Sequence, residues 1–295
     1  MAVVLITGSS SGFGFLIAKT LASAGHHVFA TMRGTADRNA APAQQLTEWA
    51  ATDGVQLEVV ELDVTSDESV ARAVEHILGT AGTVDVAVNN AGASARGPLE
   101  AFSVDQMAAL LSLNTLGPMR VNRAVLPTMR QQGAGLIVWV TSTLGRVLPG
   151  RGGLYPATKW AAEGFAESLH HQIAPFGIDL TILEPGSFPT PANMTDKGMH
   201  AADETVVEAY ASVAPNAPPR RAPDADHSEP DPQEVADAVL ELVSMPAGAR
   251  PLRMVVGPVF TDGVAEYNAT YERLRAHMEE ILRRPDQAIT WSSRR

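Results

Sequence analysis

A tyrosine and a lysine four positions apart, Tyr155 and Lys159, are the residues best suited to acid–base chemistry in this chain. The sequence holds four tyrosines and three lysines, so a chance pair at this spacing is expected in roughly one such chain in twenty-five. Pro156 marks the first turn of a predicted helix, and both side chains project from one face of it. A lysine ammonium lowers the pKa of a neighbouring phenol from its ordinary value of about 10. The pair therefore predicts proton exchange near neutral pH, and the alternative is a surface aromatic beside a surface lysine.

A serine hydroxyl is the second candidate, thirteen residues before that tyrosine. Ser142 follows the apolar run 136–140, which predicts a buried strand. In a sheet of parallel strands, the carboxyl ends face the crevice where ligands bind. Ser142 is therefore expected in the same site, with an ordinary turn residue as the alternative.

A glycine-rich segment near the start of the chain could hold a phosphate group. It follows the first predicted strand and opens the first predicted helix, so its glycines would let a pyrophosphate approach the backbone and its helix would offer free N–H groups. The spacing, Gly-x3-Gly-x-Gly, differs from the better-known Gly-x-Gly-x2-Gly fingerprint. An ordinary turn that caps a helix is the alternative. The candidate cofactor-binding residues here are Gly8, Ser10, Ser11, Gly12, Phe13 and Gly14.

The end of the second predicted strand indicates which dinucleotide would bind. Met32 and Arg33 stand 18 and 19 positions past Gly14. Dinucleotide folds carry in this region either an acidic residue for a ribose 2′-hydroxyl or an arginine for a 2′-phosphate. The first carboxylate after the glycines is Asp37. We therefore expect NADP(H) to be preferred over NAD(H), with a solvated loop arginine as the alternative.

These candidates need a scaffold that brings the ends of several strands together. Short runs rich in Val, Ile and Leu alternate with stretches of helical spacing over most of the chain. That alternation predicts a Rossmann-like, doubly wound parallel sheet of the α/β class with right-handed crossovers. The predicted strands are 2–7, 27–32, 56–60, 84–88, 135–140, 178–183 and 252–256. The predicted helices are 12–24, 66–79, 104–131, 155–174, 203–213, 231–244 and 262–284.

The domain organisation is predicted from the points where this alternation of strand and helix patterns changes. One domain is expected over 1–257, followed by a helical extension over 258–295. Residues 187–230 are rich in Pro, Ala and Asp, which predicts a substrate-binding lid within the domain. The segment Thr65-Ser66-Asp67-Glu68 resembles a capping box at the start of the helix predicted over 66–79.

Composition narrows the class of protein. The chain has 295 residues, a formal net charge of −11 and no cysteine. The negative charge argues against nucleic-acid and anionic-membrane partners, and the lack of cysteine excludes disulfides and thiolate metal sites. The adjacent histidine pairs 26–27 and 170–171 do not form a ligand face, so we expect no metal. With neither a signal peptide nor an apolar run of about 18 residues, a cytoplasmic protein is expected.

In their order and spacing, the motifs from Val3 to Thr190 resemble those of the short-chain dehydrogenase/reductase family. Besides the glycine loop, Ser142 and the Tyr-x3-Lys pair, the matching motifs are Asp63-Val64, Asn89-Asn90-Ala91-Gly92, Asn114 and Pro185-Gly186-x3-Thr190. The resemblance implies an NAD(P)-dependent enzyme that interconverts a carbonyl and an alcohol. It also implies a homodimer or a homotetramer.

The resemblance assigns roles to single residues. Ser142 would bond the substrate carbonyl, Tyr155 would exchange the proton, and Lys159 would bind the nicotinamide ribose. Asn114 would hold a water in a proton relay, from a distortion in the long helix. The other implied cofactor contacts are Asp63 and Val64 at the adenine, Asn90, Ala91 and Gly92 at the ribose, and Pro185, Gly186, Phe188 and Thr190 at the nicotinamide.

The substrate pocket is expected to be mainly apolar. Loop arginines such as Arg96, Arg146 and Arg151 could clamp a carboxylate, although such residues are more often solvated. We therefore expect a hydrophobic small-molecule ketone, aldehyde or alcohol. A reductase for 3-oxoacyl groups on a carrier protein and a non-enzymatic NADPH-binding sensor or scaffold remain alternatives. The candidate substrate residues are Ser94, Leu144, Leu148, Phe188 and Met194.

Overall fold

Seven parallel strands form the central sheet in the computed structural model, which describes residues 1–148, 153–190, 198–213, 230–258 and 261–282. The strands in those ranges are β1 (Val3–Thr7), β2 (His27–Met32), β3 (Leu57–Glu61), β4 (Val86–Asn89), β5 (Ala95–Arg96), β6 (Gly135–Val140), β7 (Ile178–Pro185), β8 (Met199–His200) and β9 (Arg253–Val256). The sheet has the order β3-β2-β1-β4-β6-β7-β9, while β5 and β8 pair separately. The predicted doubly wound α/β fold is confirmed.

Helices cover both faces of this sheet. Those in the described ranges are α1 (Gly12–Ser23), α2 (Ala40–Asp53), α3 (Asp67–Ala81), α4 (Val104–Leu111), α5 (Gly117–Gln132), α6 (Leu154–Ile173), α7 (Glu204–Val213), α8 (Gln233–Ser244) and α9 (Thr261–Leu282). Within the part of the chain that the structure describes, no helix has both the length and the apolarity to cross a membrane.

The strands form where the sequence is mostly apolar, because both faces of the sheet are largely buried. All five residues of β1 are buried, for example. Leu5 packs with α3, α5 and α6 on one face, together with Trp139 of β6. Val4 and Ile6 pack on the other face with α1, α2 and α8. These two hydrophobic clusters pack the sheet between the helices and so fix the positions of the carboxyl ends of the strands.

Some local elements differ from the sequence-based predictions. Helix α2 and the β5–β8 pair were not among the predicted elements. The helix predicted over 104–131 is interrupted by a π-helical segment, Ser112–Leu116. The capping box predicted from Thr65 is wrong, because Ser66 is the N-cap and accepts a hydrogen bond from the N–H of Ser69 over 3.2 Å without a reciprocal bond.

The β5–β8 pair joins the predicted lid to the strand ends. The N–H of Met199 donates to the carbonyl of Ser94 over 2.9 Å. Gln106 of α4 donates from Nε2 to the carbonyl of His200 over 2.7 Å and accepts from the N–H of Ala202 over 3.2 Å. This edge of the lid is therefore fixed beside the strand ends, close to Ser94.

Candidate active site

A cleft of about 440 Å³ lies at the carboxyl ends of the central strands. Residues that follow β1, β2, β3 and β4, together with the first turn of α6, line it. The structure thus brings together motifs that are up to 182 positions apart in the sequence. The predicted site residues in the lining are Gly8, Ser10, Ser11, Gly12, Phe13, Met32, Arg33, Asp63, Val64, Asn90, Ala91, Gly92, Ser94, Tyr155, Lys159 and Thr190.

The other predicted residues lie behind or beside this lining. Pro185 is the last residue of β7, and the N–H of Gly186 donates to the carbonyl of Val256 over 2.8 Å. Leu148 is 49% exposed, and Arg151 and Met194 lie outside the described residues. Gly14, Asn114, Ser142 and Leu144 lie directly behind the lining.

Phe188 is a core residue in this structure. It is 2% exposed, and its ring meets the ring of Phe13 edge-on, with 5.6 Å between the centroids. A Cβ on Gly257 would lie 2.6 Å from the end of the Phe188 ring. Phe188 therefore supports the cleft wall through Phe13, and the structure does not place it in the lining as predicted.

The glycine loop requires its glycines for close packing. Gly8 has a φ of +71°, and a Cβ there would lie 2.7 Å from the Cα of Ala91. A Cβ on Gly14 would collide with the carbonyl of Gly8 and the side chain of Asn90. In the described part of the chain, the Ser11 side chain makes no capping hydrogen bond to α1. The first N–H groups of α1 therefore suit an anionic ligand.

The Gly8→Ala variant should lose stability and dinucleotide binding together. Its Cβ imposes a strained backbone, which costs about 1 to 3 kcal/mol, and displaces Ala91. Gly79→Ala is the matched control, because nothing lies within 4 Å of its Cβ position. That helical substitution should be neutral or stabilising by about 0.5 to 1 kcal/mol. Thermal unfolding and nucleotide titration check both, and equal behaviour of the two variants would contradict this assignment.

Tyr155 and Ser142 contact each other through a hydrogen bond between their side chains. Ser142 follows β6, is 8% exposed, and accepts a hydrogen bond from the N–H of Leu144 over 3.2 Å. The Nζ of Lys159 donates to the carbonyl of Val140 over 3.0 Å and lies 5.7 Å from the centre of the Tyr155 ring. Strand β6 and helix α6 thus hold a hydroxyl, a phenol and an ammonium together.

The pKa values in this group differ from the sequence-based expectation. Burial raises the pKa of Tyr155, against the opposing effect of the Ser142 hydrogen bond. The pKa of Tyr155 is thus raised overall and not lowered as expected, and the charge of Lys159 is not among the causes of this shift. Burial also lowers the pKa of Lys159 to about 8, although the charge of Glu163 acts in the other direction. The phenol of Tyr155 therefore keeps its proton at neutral pH.

Asn114 occupies the π-helical segment, which is the distortion that the resemblance implied. Its amide exchanges two hydrogen bonds of 2.9 Å with the backbone of Ala93 and donates a third of 2.9 Å to Thr158 Oγ1. A Cβ on Gly92 would lie 3.2 Å from Asn114 Oδ1 and 3.8 Å from Lys159 Nζ. The amide of Asn114 and the ammonium of Lys159 therefore both lie next to Gly92, and π-helical segments are typical of functional sites.

Arg33 lies at the rim of the cleft beside an acidic partner. Its Nη1 is 4.0 Å from Asp63 Oδ2, and its side chain is 47% exposed. Burial of Asp63 acts to raise its pKa, but hydrogen bonds from Thr65 and the charges of Arg33 and Arg38 hold that pKa below its ordinary value. The guanidinium is thus positioned and still accessible to a ligand.

Two residues near Arg33 have roles that the sequence-based predictions missed. Arg38 lines the same cleft. Glu61 of β3 accepts hydrogen bonds of 2.7 Å from the N–H groups of Gly34 and Thr35 and so fixes the loop after β2. The sequence did offer a signal for Arg38, because this second arginine follows Arg33 closely after β2. A cross-strand bond such as that of Glu61 has no signal in a single sequence.

A buried group of charged side chains lies behind β6 and β7. Glu163 of α6 accepts from Thr141 Oγ1 over 2.6 Å and from Arg253 Nε over 3.2 Å. Glu184 of β7 is fully buried, 3.8 Å from Arg146 Nε. Arg146 is 6% exposed, so neither the solvated nor the carboxylate-clamping interpretation of this arginine is correct. Its guanidinium is held inside the protein beside Glu184 and is not available to bind a substrate carboxylate.

The Glu184→Gln variant should change how stability depends on pH. Burial and then the charge of Glu163 raise the pKa of Glu184 from 4.5 to about 8, despite Asn268, Arg253 and Arg146. The folded state therefore keeps a proton that the unfolded state releases, and stability falls as pH rises from about 4.5 to about 8. The loss amounts to a few kcal/mol, because one pKa unit corresponds to about 1.4 kcal/mol. Glutamine cannot ionise, so the variant should melt at a higher temperature than the wild type above about pH 8.

Glu167→Gln is the control, because the stability that this carboxylate contributes is expected to depend on pH in the opposite direction. Burial of Glu167 acts to raise its pKa, but bonds from Arg253 and Tyr271 and the charge of Arg253 hold it below the ordinary value. This carboxylate therefore stabilises the fold above its unfolded pKa, and the variant should be destabilised at neutral pH and not at acid pH. If the melting temperatures of the two variants changed with pH in the same way, both assignments would be contradicted.

This fold and site define an α/β dehydrogenase, with a glycine-rich loop after β1 and a Ser–Tyr–Lys group at the strand ends. A family model described as short chain dehydrogenase matches residues 2–200. The chain belongs to the short-chain dehydrogenase/reductase family, oxidoreductases that act on CH–OH and C=O groups.

Sequence relatives agree with this membership. Oxidoreductase BOA17 of Botryotinia fuckeliana is 36% identical over 258 residues, which cover 86% of this chain and 88% of that protein. The 17-beta-hydroxysteroid dehydrogenase type 1 of Homo sapiens is 42% identical over 195 residues, 64% of this chain and 57% of that protein. Retinol dehydrogenase 8 of Bos taurus is 41% identical over 63% of this chain and 59% of that protein. The match thus spans little more than half the length of the last two.

Solved structures show the same fold. A short-chain dehydrogenase from Streptomyces avermitilis covers 95% of this chain and 95% of its own, with a TM-score of 0.69 and 31% identity. A single-residue variant of the actinorhodin polyketide ketoreductase, solved with NADPH, covers 86% of this chain and 95% of its own, with a TM-score of 0.70 and 27% identity.

Proposed function

We propose that this protein is an NADP(H)-dependent oxidoreductase that interconverts a carbonyl and an alcohol on a mainly apolar small molecule. The observation that carries the proposal is that Tyr155 and Lys159 line the same cleft as the glycine loop and Arg33, with Ser142 directly behind Tyr155. A phenol that keeps its proton at neutral pH suits proton donation, which favours carbonyl reduction.

Tyr155 is the general acid in this proposal. Its hydroxyl gives a proton to the carbonyl oxygen, and Ser142 donates a second hydrogen bond to the same oxygen. Lys159, held by the carbonyl of Val140, stabilises the phenolate that remains and bonds the ribose hydroxyls. When bound, the cofactor supplies the hydride that the carbonyl carbon takes up. Asn114 would order the water from which one proton returns, through Lys159, to the Tyr155 phenolate.

The residues around the cleft fit NADP(H). The uncapped N-terminus of α1 and the glycine loop suit a pyrophosphate. Arg33 and Arg38 supply two cations for a 2′-phosphate, and Asp63 and Val64 lie beside them for the adenine. The polyketide ketoreductase of the same fold holds NADPH, which supports the proposal without deciding it.

The substrate is proposed to be uncharged and apolar. Arg146, one candidate for a carboxylate clamp, is bonded inside the protein. Leu144 lies half-buried beside Ser142, and Leu148 is exposed near it. Relatives named for retinol and for a hydroxysteroid agree with an apolar carbonyl or alcohol. The net charge of −11 disfavours an acidic carrier protein as the partner.

A spectrophotometric panel tests the proposed function. NADPH oxidation is followed with apolar ketones, apolar aldehydes, 3-oxo acids and a carrier-bound 3-oxoacyl group. Turnover of the apolar compounds, with one alcohol formed per NADPH consumed, is the expected result. Turnover restricted to the carrier-bound substrate would overturn the substrate class. A protein that binds NADPH and reduces none of them would instead favour a sensor or scaffold.

The protein is also proposed to act as a homodimer or homotetramer. Large apolar side chains are exposed on two helices beside the site, namely Val104 of α4 and Trp160 and Phe165 of α6. A second copy of the chain would cover such residues. Light scattering at several protein concentrations measures the mass directly, and a monomer throughout would refute this assembly.

A further inference from the structure

Helix α9 contributes three side chains to the back of the site. Asn268 is 8% exposed and makes two hydrogen bonds. Arg146 Nε donates to its Oδ1 over 2.8 Å, and its Nδ2 donates to Glu184 Oε2 over 2.6 Å. The Arg146 guanidinium also lies 4.7 Å and 4.8 Å from the ring centres of Tyr267 and Tyr271. One amide and two aromatic rings of α9 therefore fix this arginine.

Arg146 belongs to the turn that begins with Ser142. In this segment, the Ser142 turn (residues 142–147), the N–H of Gly145 donates to the Ser142 carbonyl over 2.8 Å. The N–H of Arg146 donates to the Thr143 carbonyl over 3.1 Å. A single 3₁₀ turn is too short to hold its own conformation. The position of Ser142 therefore depends on what anchors Arg146.

We propose that Asn268 is a positioning residue for the carbonyl reduction: through Arg146 it fixes the Ser142 turn, and with it the Ser142 hydroxyl relative to Tyr155. The inference rests on the proposed function, because the turn affects a rate only if these two hydroxyls share a substrate oxygen. Asn268 lies beyond residues 2–200, the part of the chain that the family model matches. The extension therefore becomes part of the catalytic apparatus.

The buried side chains around Asn268 have few other hydrogen-bond partners that could replace its amide. Glu184 is fully buried and Arg146 is 6% exposed. Among the described residues, Arg146 Nη2 and Glu184 Oε1 already lack a hydrogen-bond partner. Removing the amide would leave Arg146 Nε and Glu184 Oε2 without one as well, and a buried polar or charged atom without a partner is strongly unfavourable. Arg146 is therefore expected to reorient, and the Ser142 turn to move with it.

The test compares Asn268→Leu with Asn268→Asp in the full-length protein. Leucine removes both hydrogen bonds, so kcat should fall about 10- to 100-fold, as expected for a displaced catalytic group. The dissociation constant for NADPH should stay unchanged, and amide hydrogen exchange should accelerate in residues 142–147. Aspartate keeps an acceptor for Arg146 and can accept from a protonated Glu184. Asn268→Asp should therefore recover most of kcat and of the exchange protection.

Asn122→Leu is the matched control, because Asn122 is equally buried and its Oδ1 accepts from Asn89 Nδ2 over 2.7 Å, away from the turn. It should lower the melting temperature and leave exchange in 142–147 unchanged. A normal kcat and normal local exchange in Asn268→Leu would overturn the proposal, as would faster exchange throughout the sheet. The exchange measurement needs no turnover. An inactive wild type would refute the proposed function, while exchange alone would still decide whether α9 holds the Ser142 turn.

Discussion

The Tyr155→Phe variant is expected to lose kcat by about 100- to 10,000-fold, the range for loss of a positioned general acid. The ring stays in place, so packing in the first turn of α6 should be preserved. Only the proton donor and its hydrogen bond with Ser142 disappear. The dissociation constant for NADPH and the melting temperature should therefore remain close to those of the wild type. Steady-state NADPH oxidation and fluorescence titration measure the two effects separately.

Tyr210→Phe is the matched control for this variant. Its hydroxyl also makes one side-chain hydrogen bond, to Glu100 Oε2 over 2.9 Å, but on the exposed helix α7. Tyr210 belongs to the predicted substrate lid and not to the proton-donating group, so any effect of this change should fall on KM and leave kcat unaltered. Comparable losses in both variants, or a loss of NADPH binding in Tyr155→Phe that accounts for its lower activity, would show that Tyr155 is not the general acid.

The Arg33→Ala variant is expected to bind NADPH about 10- to 100-fold more weakly, because hydrogen bonds to charged groups contribute about 1.5 to 3 kcal/mol each. NADH lacks the 2′-phosphate, so its dissociation constant should barely change. Arg38 supplies a second cation at the same rim and should keep some preference for NADPH. Calorimetric titrations with both nucleotides give the ratio directly.

Arg72→Ala controls for the loss of one positive charge. Arg72 is on α3, is 70% exposed and pairs with Glu68 at 4.0 Å, outside the residues that line the cleft. It should affect neither nucleotide. If Arg33→Ala weakened NADPH and NADH equally, the 2′-phosphate role of Arg33 would be refuted, and Arg33 would act on the fold of the loop or on the pyrophosphate.

Much of the scaffold could be predicted because buried parallel strands have a strong sequence signature. The seven strands of the central sheet begin and end within two residues of the predicted positions, since each contains a run rich in Val, Ile, Leu or other apolar residues. The position of the cleft could be predicted in the same way, because the residues after β1, β2 and β4 must lie at one edge of the sheet. Most of the predicted cofactor-binding residues line it.

The contacts that set orientation could not be predicted in this way. Phe188 was placed in the lining because of its motif, but its packing against Phe13 depends on distances that a sequence does not contain. Arg146 was interpreted as a loop residue, because its partners Glu184 and Asn268 are 38 and 122 positions away. The pKa of Tyr155 also depends on burial, which outweighs the opposing effect of the Ser142 hydrogen bond in this structure.

A parallel titration of the purified wild-type protein with NADPH and NADH tests the proposed function most directly. Every role proposed for the cleft depends on a dinucleotide bound between the glycine loop and Tyr155. We expect both nucleotides to bind, with NADPH tighter by about tenfold or more through Arg33 and Arg38. Tighter binding of NADH would contradict the cofactor assignment. Binding of neither nucleotide would contradict the proposed function itself.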